Sequence, residues 1–260
     1  MNDGSGGDIS KRIVFEDNHL LVIDKPAGLL SQGDKTGDSN VVDLLKAYRI
    51  SAEGKPGEAF VGLVHRLDRP VSGVMALAKT SKAARRLTDS WHTNAVTKIY
   101  RAVVTGDERA IALFRESGQG EWIDRLVKDE STNTVRVVEP GRGAGDASRE
   151  ARLSCRLVRQ EGKLAEAEIR LGTGRGHQIR VQLAHRGLVI VGDSKYGSKA
   201  KYTDQIGHPR IALHALRLVL PHPTLKRRLA LTAAMPPGWP MGRDERYPTE
   251  AHWLDEALGD

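Results

Sequence analysis

The chain has 260 residues, of which 39% are hydrophobic and 28% charged, a balance that excludes a disordered chain and leaves room for one large core or two small ones. Its formal charge of +7 suits an anionic partner such as nucleic acid. A single cysteine, Cys155, excludes an intrachain disulfide and a cysteine-rich zinc site, and the lack of any apolar leader or long apolar run sets the expectation of a cytoplasmic protein without a membrane span.

Residues 1–10 are rich in Gly, Ser and Asp and read as a disordered tail. Residues 13–23 suggest two short strands around a turn at Glu16, Asp17 and Asn18, followed by a bend at Pro26 and Gly28. Asn40 is placed to cap a helix over 41–49, because Val41, Leu44, Leu45 and Tyr48 share one helical face. Segments 60–64 and 74–80 read as strands flanking a loop, and Ser81 as the cap of a helix carrying Ala84, Leu87 and Trp91. Strands are then expected at 98–104, 122–127, 134–139 and 151–158, with a Gly-rich loop at 141–147. Residues 164–171 alternate apolar and charged positions, the pattern of a strand. A helix is predicted over 177–186 with Gly187 just past its end, then strands near Val189 and over 211–220, a Pro-rich stretch and a short terminal helix.

Strands and helices mix without regular βαβ alternation. The expected fold class is therefore α+β: a single catalytic domain, residues 11–245, with a central mixed, largely antiparallel sheet flanked by helices and a cleft across the sheet. Residues 246–260 form a C-terminal extension in this reading.

Two loops concentrate chemistry-bearing residues. The first, His65-Arg66-Leu67-Asp68-Arg69-Pro70-Val71-Ser72-Gly73, surrounds one acid with basic groups that favour its ionised form. It reads equally as a turn whose Asp caps a backbone N–H. The second, 172–177, sets three glycines ahead of a helix and gathers backbone N–H groups at its N-terminus. Arg180 falls in the first turn of that helix, where the dipole disfavours a cation, so a carboxylate or phosphate is expected against it.

Six segments in order carry a family resemblance. HRLDRPVSG resembles the His-Arg-Leu-Asp motif of RluA-type pseudouridine synthases, and KPAGLL, KIYRAVVTG, LGTGRGHQIRVQL, GLVIVGDSKYG and RIALHALRLVLPHP are similar to that family's other segments. Val71 and Gly176 depart from its usual Thr and Thr or Ser. The resemblance implies an RNA pseudouridine synthase working without cofactor or metal. It implies that Asp68 is the catalytic aspartate, that Tyr100 stacks on the target uracil, and that Arg180 forms a salt bridge with Asp68. It implies that Arg66 replaces the flipped nucleotide, and that His65, Leu67, Arg69, Gly174, Arg175, His177 and Gln178 lie against the substrate. The small RNA-binding domain that many members carry ahead of the catalytic one is expected to be absent.

Three basic clusters extend this reading: Lys82, Arg85 and Arg86; Lys195, Lys199 and Lys201; and Lys226, Arg227 and Arg228. Each alone is an ordinary solvated surface; around a cleft they would contact phosphates. The expected partner is ribosomal or transfer RNA and the expected state a monomer. Two rival readings are a non-catalytic RNA-binding or ribosome-assembly factor on the same scaffold, and a metal-dependent nuclease using Asp17, Asp24 and Asp68. The latter acids lack compact ligand spacing.

Overall fold

The structure is a computed structural model that describes residues 8–54, 57–117, 120–139, 147–204 and 207–242. Its elements are β1 (Ile13–Glu16), β2 (Leu20–Lys25), α1 (Val41–Glu53), β3 (Gly62–Leu63), β4 (Ser72–Ala78), α2 (Ser81–His92), β5 (Thr97–Thr105) and α3 (Glu108–Glu116). They continue as β6 (Gly120–Asp129), β7 (Thr134–Val138), β8 (Arg149–Glu161), β9 (Leu164–Leu171), α4 (Gln178–His185), β10 (Val189–Ile190), β11 (Leu213–Pro221) and β12 (Arg228–Thr232). The fold is α+β on a mixed, largely antiparallel sheet. The chain divides into two compact units. No helix among the described residues is long and apolar enough to cross a membrane.

The first unit takes the chain up to Lys98 and then Ala215–Pro236. Its strands run in the order β1-β2-β4-β11, with β3 added to β4 and β12 to β11. β2 pairs antiparallel with β4 from Leu20 opposite Ala78 to Lys25 opposite Gly73. Leu20, Leu21, Val22 and Ile23 are fully buried, as is nearly all of β4, so this pair forms the centre of the core. α1 is capped as the sequence implies: the Asn40 side chain accepts the Asp43 N–H at 3.1 Å. It runs on to Glu53, where Gly54 turns left-handed. At α2 the cap is Thr80, one residue earlier than expected, its hydroxyl accepting from Ala83 N–H. The Asp17 carboxylate holds the β1–β2 turn by accepting from His19 and Leu20 N–H, each at 2.7 Å. Its other oxygen meets Nε2 of buried His222 at 2.6 Å, 205 residues away. Asp17 is thereby committed to structure, which removes it from a metal-ligand role.

The second unit holds Ile99–His214 and the described residues from Pro237. Its strands run β5-β9-β8-β6-β7, with β10 on the edge of β5. The alternating segment 164–171 is indeed a strand, but two of its charged positions, Glu166 and Glu168, are buried as well. Register explains how: Arg101, Glu168 and Arg156 stand directly opposite one another across three strands. Glu168 is held at 3.0 Å by Arg101 and at 2.8 Å by Arg156, so its buried charge is compensated from both sides. α4 lies on β6, where Arg186 and Gln182 both reach the Asp124 carboxylate. Cys155 faces the core, and burial pushes its thiol up, out of nucleophilic range.

Three sequence expectations change. The strand read over 60–64 contracts to β3, because Phe60 is largely exposed and only two residues pair. α3, capped by Asp107, and β12 were not expected. Of the tail expected over 1–10, the described residues 8–10 are ordered, Asp8 capping a 3-10 turn over Ile9–Arg12; residues 1–7 lie outside the described residues. The loop at 141–147 falls almost wholly, and the short terminal helix wholly, outside the described residues.

Candidate active site

The Asp68 loop belongs to the first unit, and its backbone is fixed from the segment after β2. Ser31, buried, donates its hydroxyl to the Leu67 carbonyl at 2.7 Å and accepts the Leu67 N–H at 3.1 Å. Gly28 and Arg69 are joined twice: Gly28 N–H donates to the Arg69 carbonyl at 2.8 Å, and Arg69 Nε to the Gly28 carbonyl at 3.0 Å. Arg69 also pairs with Asp38 at 2.8 Å. Val71 N–H closes a turn onto the Asp68 carbonyl at 3.0 Å. The loop ends at Gly73, at φ +120°, where an added Cβ would lie 2.2 Å from the Ala215 carbonyl oxygen; only glycine fits there.

Beneath the loop lies a residue the sequence reading did not single out. Lys25 is fully buried, and its Nζ donates to the carbonyls of Leu29 at 2.7 Å, Pro26 at 3.0 Å and Arg69 at 3.3 Å. Burial pushes its pKa down to about 7, while the Asp68 carboxylate acts in the opposite direction. The only hint in the sequence is the KPAGLL segment that carries part of the family resemblance.

His65 is engaged within the protein. Its ring stacks on Trp91 at 4.7 Å, and its Nε2 accepts the Ala76 N–H at 2.9 Å. Burial, reinforced by nearby Lys98, pushes its pKa down to about 3. The ring is neutral and structural, so it adds no positive charge beside Asp68. Leu67 is buried in the core, and Arg69 is spent on Gly28 and Asp38. Arg66 alone among the loop's cations is exposed with no hydrogen bond or ion pair to the described residues.

The second unit carries the other predicted residues. Tyr100 is buried on β5 opposite Ile169. Arg180, in the first turn of α4, has the carboxylate its position demands. Its Nε and Nη2 clasp the two oxygens of Asp193 at 2.7 and 2.8 Å, both residues being buried. The sequence reading did not identify Asp193 as that partner. Gln178 is buried and acts as a clamp on 172–177: its oxygen accepts from Thr173 and Arg175, and its amide donates to Arg152 at 2.9 Å. His177 adopts a left-handed φ of +53°, uncommon for a non-glycine and costing about 1–2 kcal/mol. Its Nδ1 meets the Tyr196 hydroxyl at 2.8 Å, and that oxygen also accepts the Val135 N–H. Gly174 and Arg175 are exposed, although Arg175 Nε donates to the Glu150 carbonyl. No group of three His, Cys, Asp or Glu side chains fit for a metal occurs among the described residues.

Residues 19–185 match the family model described as RNA pseudouridylate synthase. The chain belongs to this family. Curated relatives include a ribosomal large subunit pseudouridine synthase C of Vibrio cholerae, 32% identical over 95% of this chain and 68% of its own length. A ribosomal large subunit pseudouridine synthase D of Xanthomonas campestris is 36% identical over 88% of this chain and 67% of its own length. Among solved structures, human RNA pseudouridylate synthase domain containing 4 shares the fold, with a TM-score of 0.69 at 24% identity over 88% of this chain and 90% of that one. The protein is an RNA pseudouridine synthase, an isomerase.

Proposed function

We propose that this synthase converts one or more uridines of a structured ribosomal or transfer RNA into pseudouridine, with Asp68 as the catalytic carboxylate. The observation that carries the reading is the contrast within the Asp68 loop. Lys25, Gly28 and Ser31 hold its backbone from below, while Arg66 projects into solvent uncommitted. A carboxylate that must meet a reacting sugar needs that fixity. Ribosomal RNA is favoured because the curated relatives are named for the ribosomal large subunit.

The reaction breaks the bond between the ribose anomeric carbon and uracil N1, turns the base, and joins the same carbon to C5, which then loses its proton. Asp68 serves the first step as nucleophile or as counter-charge to the developing sugar cation. Tyr100 supplies the ring on which the base rests and a phenol within reach of the C5 proton. The target leaves the stack by base flipping, and the planar guanidinium of Arg66 fills the gap.

The test is Asp68→Asn, which keeps size and turn geometry but supplies no carboxylate. Isomerisation of total ribosomal and transfer RNA, mapped base by base, is expected to disappear while RNA is still bound. Turnover within tenfold of wild type, about 1.4 kcal/mol in barrier, overturns the assignment.

A further inference from the structure

Two of the basic clusters, 140 positions apart in sequence, come together in the first unit. Lys82, Arg85 and Arg86 lie exposed along α2, Lys226 and Arg227 lie exposed in the turn between β11 and β12, and Arg228 lies exposed at the start of β12. Arg86 Nη1 donates to the Pro223 carbonyl at 2.8 Å, and Arg228 Nη2 donates to the Ala95 carbonyl just beyond α2 at 3.1 Å. These two bonds lace the hairpin onto the end of the helix. They also hold both guanidinium groups in a fixed place, with charge left over for a partner.

Most buried or half-buried arginines of this chain answer a carboxylate: Arg49 with Glu53, Arg101 and Arg156 with Glu168, Arg159 with Glu166, Arg180 with Asp193, Arg186 with Asp124. None of the six cations on α2 and the hairpin has a carboxylate partner among the described residues. The only acid at helical spacing with them on α2 is Asp89. Bringing like charges together costs free energy by self-repulsion, and a bound polyanion offsets that cost.

We propose that this face of α2 and the β11–β12 hairpin is an RNA-docking surface. It would take the phosphate backbone of the substrate through residues outside the Asp68 loop. The proposal rests on the reading of the protein as an enzyme of structured RNA. Phosphates are the favoured ligand because the array is a row of exposed cations that no carboxylate among the described residues answers. Its contribution is to affinity and placement, not to base identity.

The experiment compares wild type with a Lys82→Gln, Arg85→Gln, Lys226→Gln, Arg227→Gln variant, which leaves the lacing residues Arg86 and Arg228 in place. Dissociation constants are measured against salt for a folded ribosomal RNA fragment and for a short single strand. Four lost phosphate contacts should lower the slope of log affinity against log salt by about 3. Affinity for the folded fragment at low salt should fall at least roughly tenfold, in proportion to the contacts removed. A second variant, Arg85→Lys with Arg227→Lys, keeps the charges and should keep the wild-type slope; this separates lost charge from lost folding. An unchanged slope and affinity in the Gln variant overturns the proposal and leaves the face to an acidic protein partner. A wild type that binds with a steep slope but isomerises no RNA would instead sink the enzymatic reading and leave this surface standing.

Discussion

One side chain, Ser31, satisfies both polar backbone groups of Leu67, the residue immediately before Asp68. The two residues are 36 positions apart, so this hydroxyl fixes the loop against a different segment of the chain. Ser31→Ala leaves a buried N–H and a buried carbonyl without partners, at about 1–3 kcal/mol each before water enters. The expected result is a stability loss of about 2 kcal/mol and a fall in kcat with KM little changed. Ser31→Thr keeps the hydroxyl and should restore kcat. If Thr and Ala behave alike in single-turnover assays, the hydroxyl does not position the loop.

His65 gives the loop a defined response to acid. Its folded pKa of about 3 lies below the ordinary histidine value of 6.5, so between the two the unfolded chain binds a proton that the folded chain refuses. The contribution is complete above pH 6.5 and is lost as pH falls toward 3, at no more than about 1.4 kcal/mol per pH unit. His65→Gln keeps an acceptor for Ala76 N–H but does not titrate. Urea unfolding of both proteins from pH 7 to pH 4 should show wild type losing ground steadily against the variant. Parallel curves would mean the imidazole is protonated without penalty.

Arg180 and Asp193 form a buried bidentate pair, and removing Asp193 takes two charge-assisted hydrogen bonds from a buried guanidinium. Asp193→Ala should destabilise by about 3–5 kcal/mol. The double variant Arg180→Met, Asp193→Leu should recover part of that loss, because both charges of this pair are then gone. Equal stability of the single and double variants would show that the pair is not coupled in this way.

Arg66 offers the opposite case, an exposed arginine with no partner in the described protein. Arg66→Ala should change stability by less than about 0.5 kcal/mol. It should slow isomerisation on a folded stem-loop much more than on a short unstructured RNA with the same uridine, because the stem-loop has more stacking to break. Both rates are taken under single-turnover conditions at one salt concentration. Equal slowing on the two RNAs would assign the guanidinium to the chemistry and end its flipping role.

Local signals carried much of the fold. Asn40 and Gly187 mark helix ends because capping and left-handed turns act within a few residues. α3 escaped because only Ile111 and Phe114 of its nine residues are buried apolar positions, too few to set a period. At the site, the helix dipole predicted a carboxylate for Arg180 but had no means of choosing Asp193, which depends on where the chain returns. Lys25 sits between an aspartate and a proline and looks like any surface lysine; its three carbonyl acceptors come from a bend and a distant loop. His65 looked like a cation for the same reason, since Ala76 and Trp91 decide its state and neither is a sequence neighbour.

The bond from Asp17 to His222 also sets a schedule. His222 is synthesised 205 residues after Asp17, roughly 10–40 s later at ordinary translation speeds. β11, which completes the neighbourhood of β4 and meets Gly73 at the end of the Asp68 loop, emerges in the same late interval. During that time the nascent chain displays an apolar strand with one neighbour missing, the condition under which chaperones are needed and strands mispair. A ribosome that stops short of His222 therefore releases a chain in which the Asp68 loop has been made but the unit that shapes it has not closed.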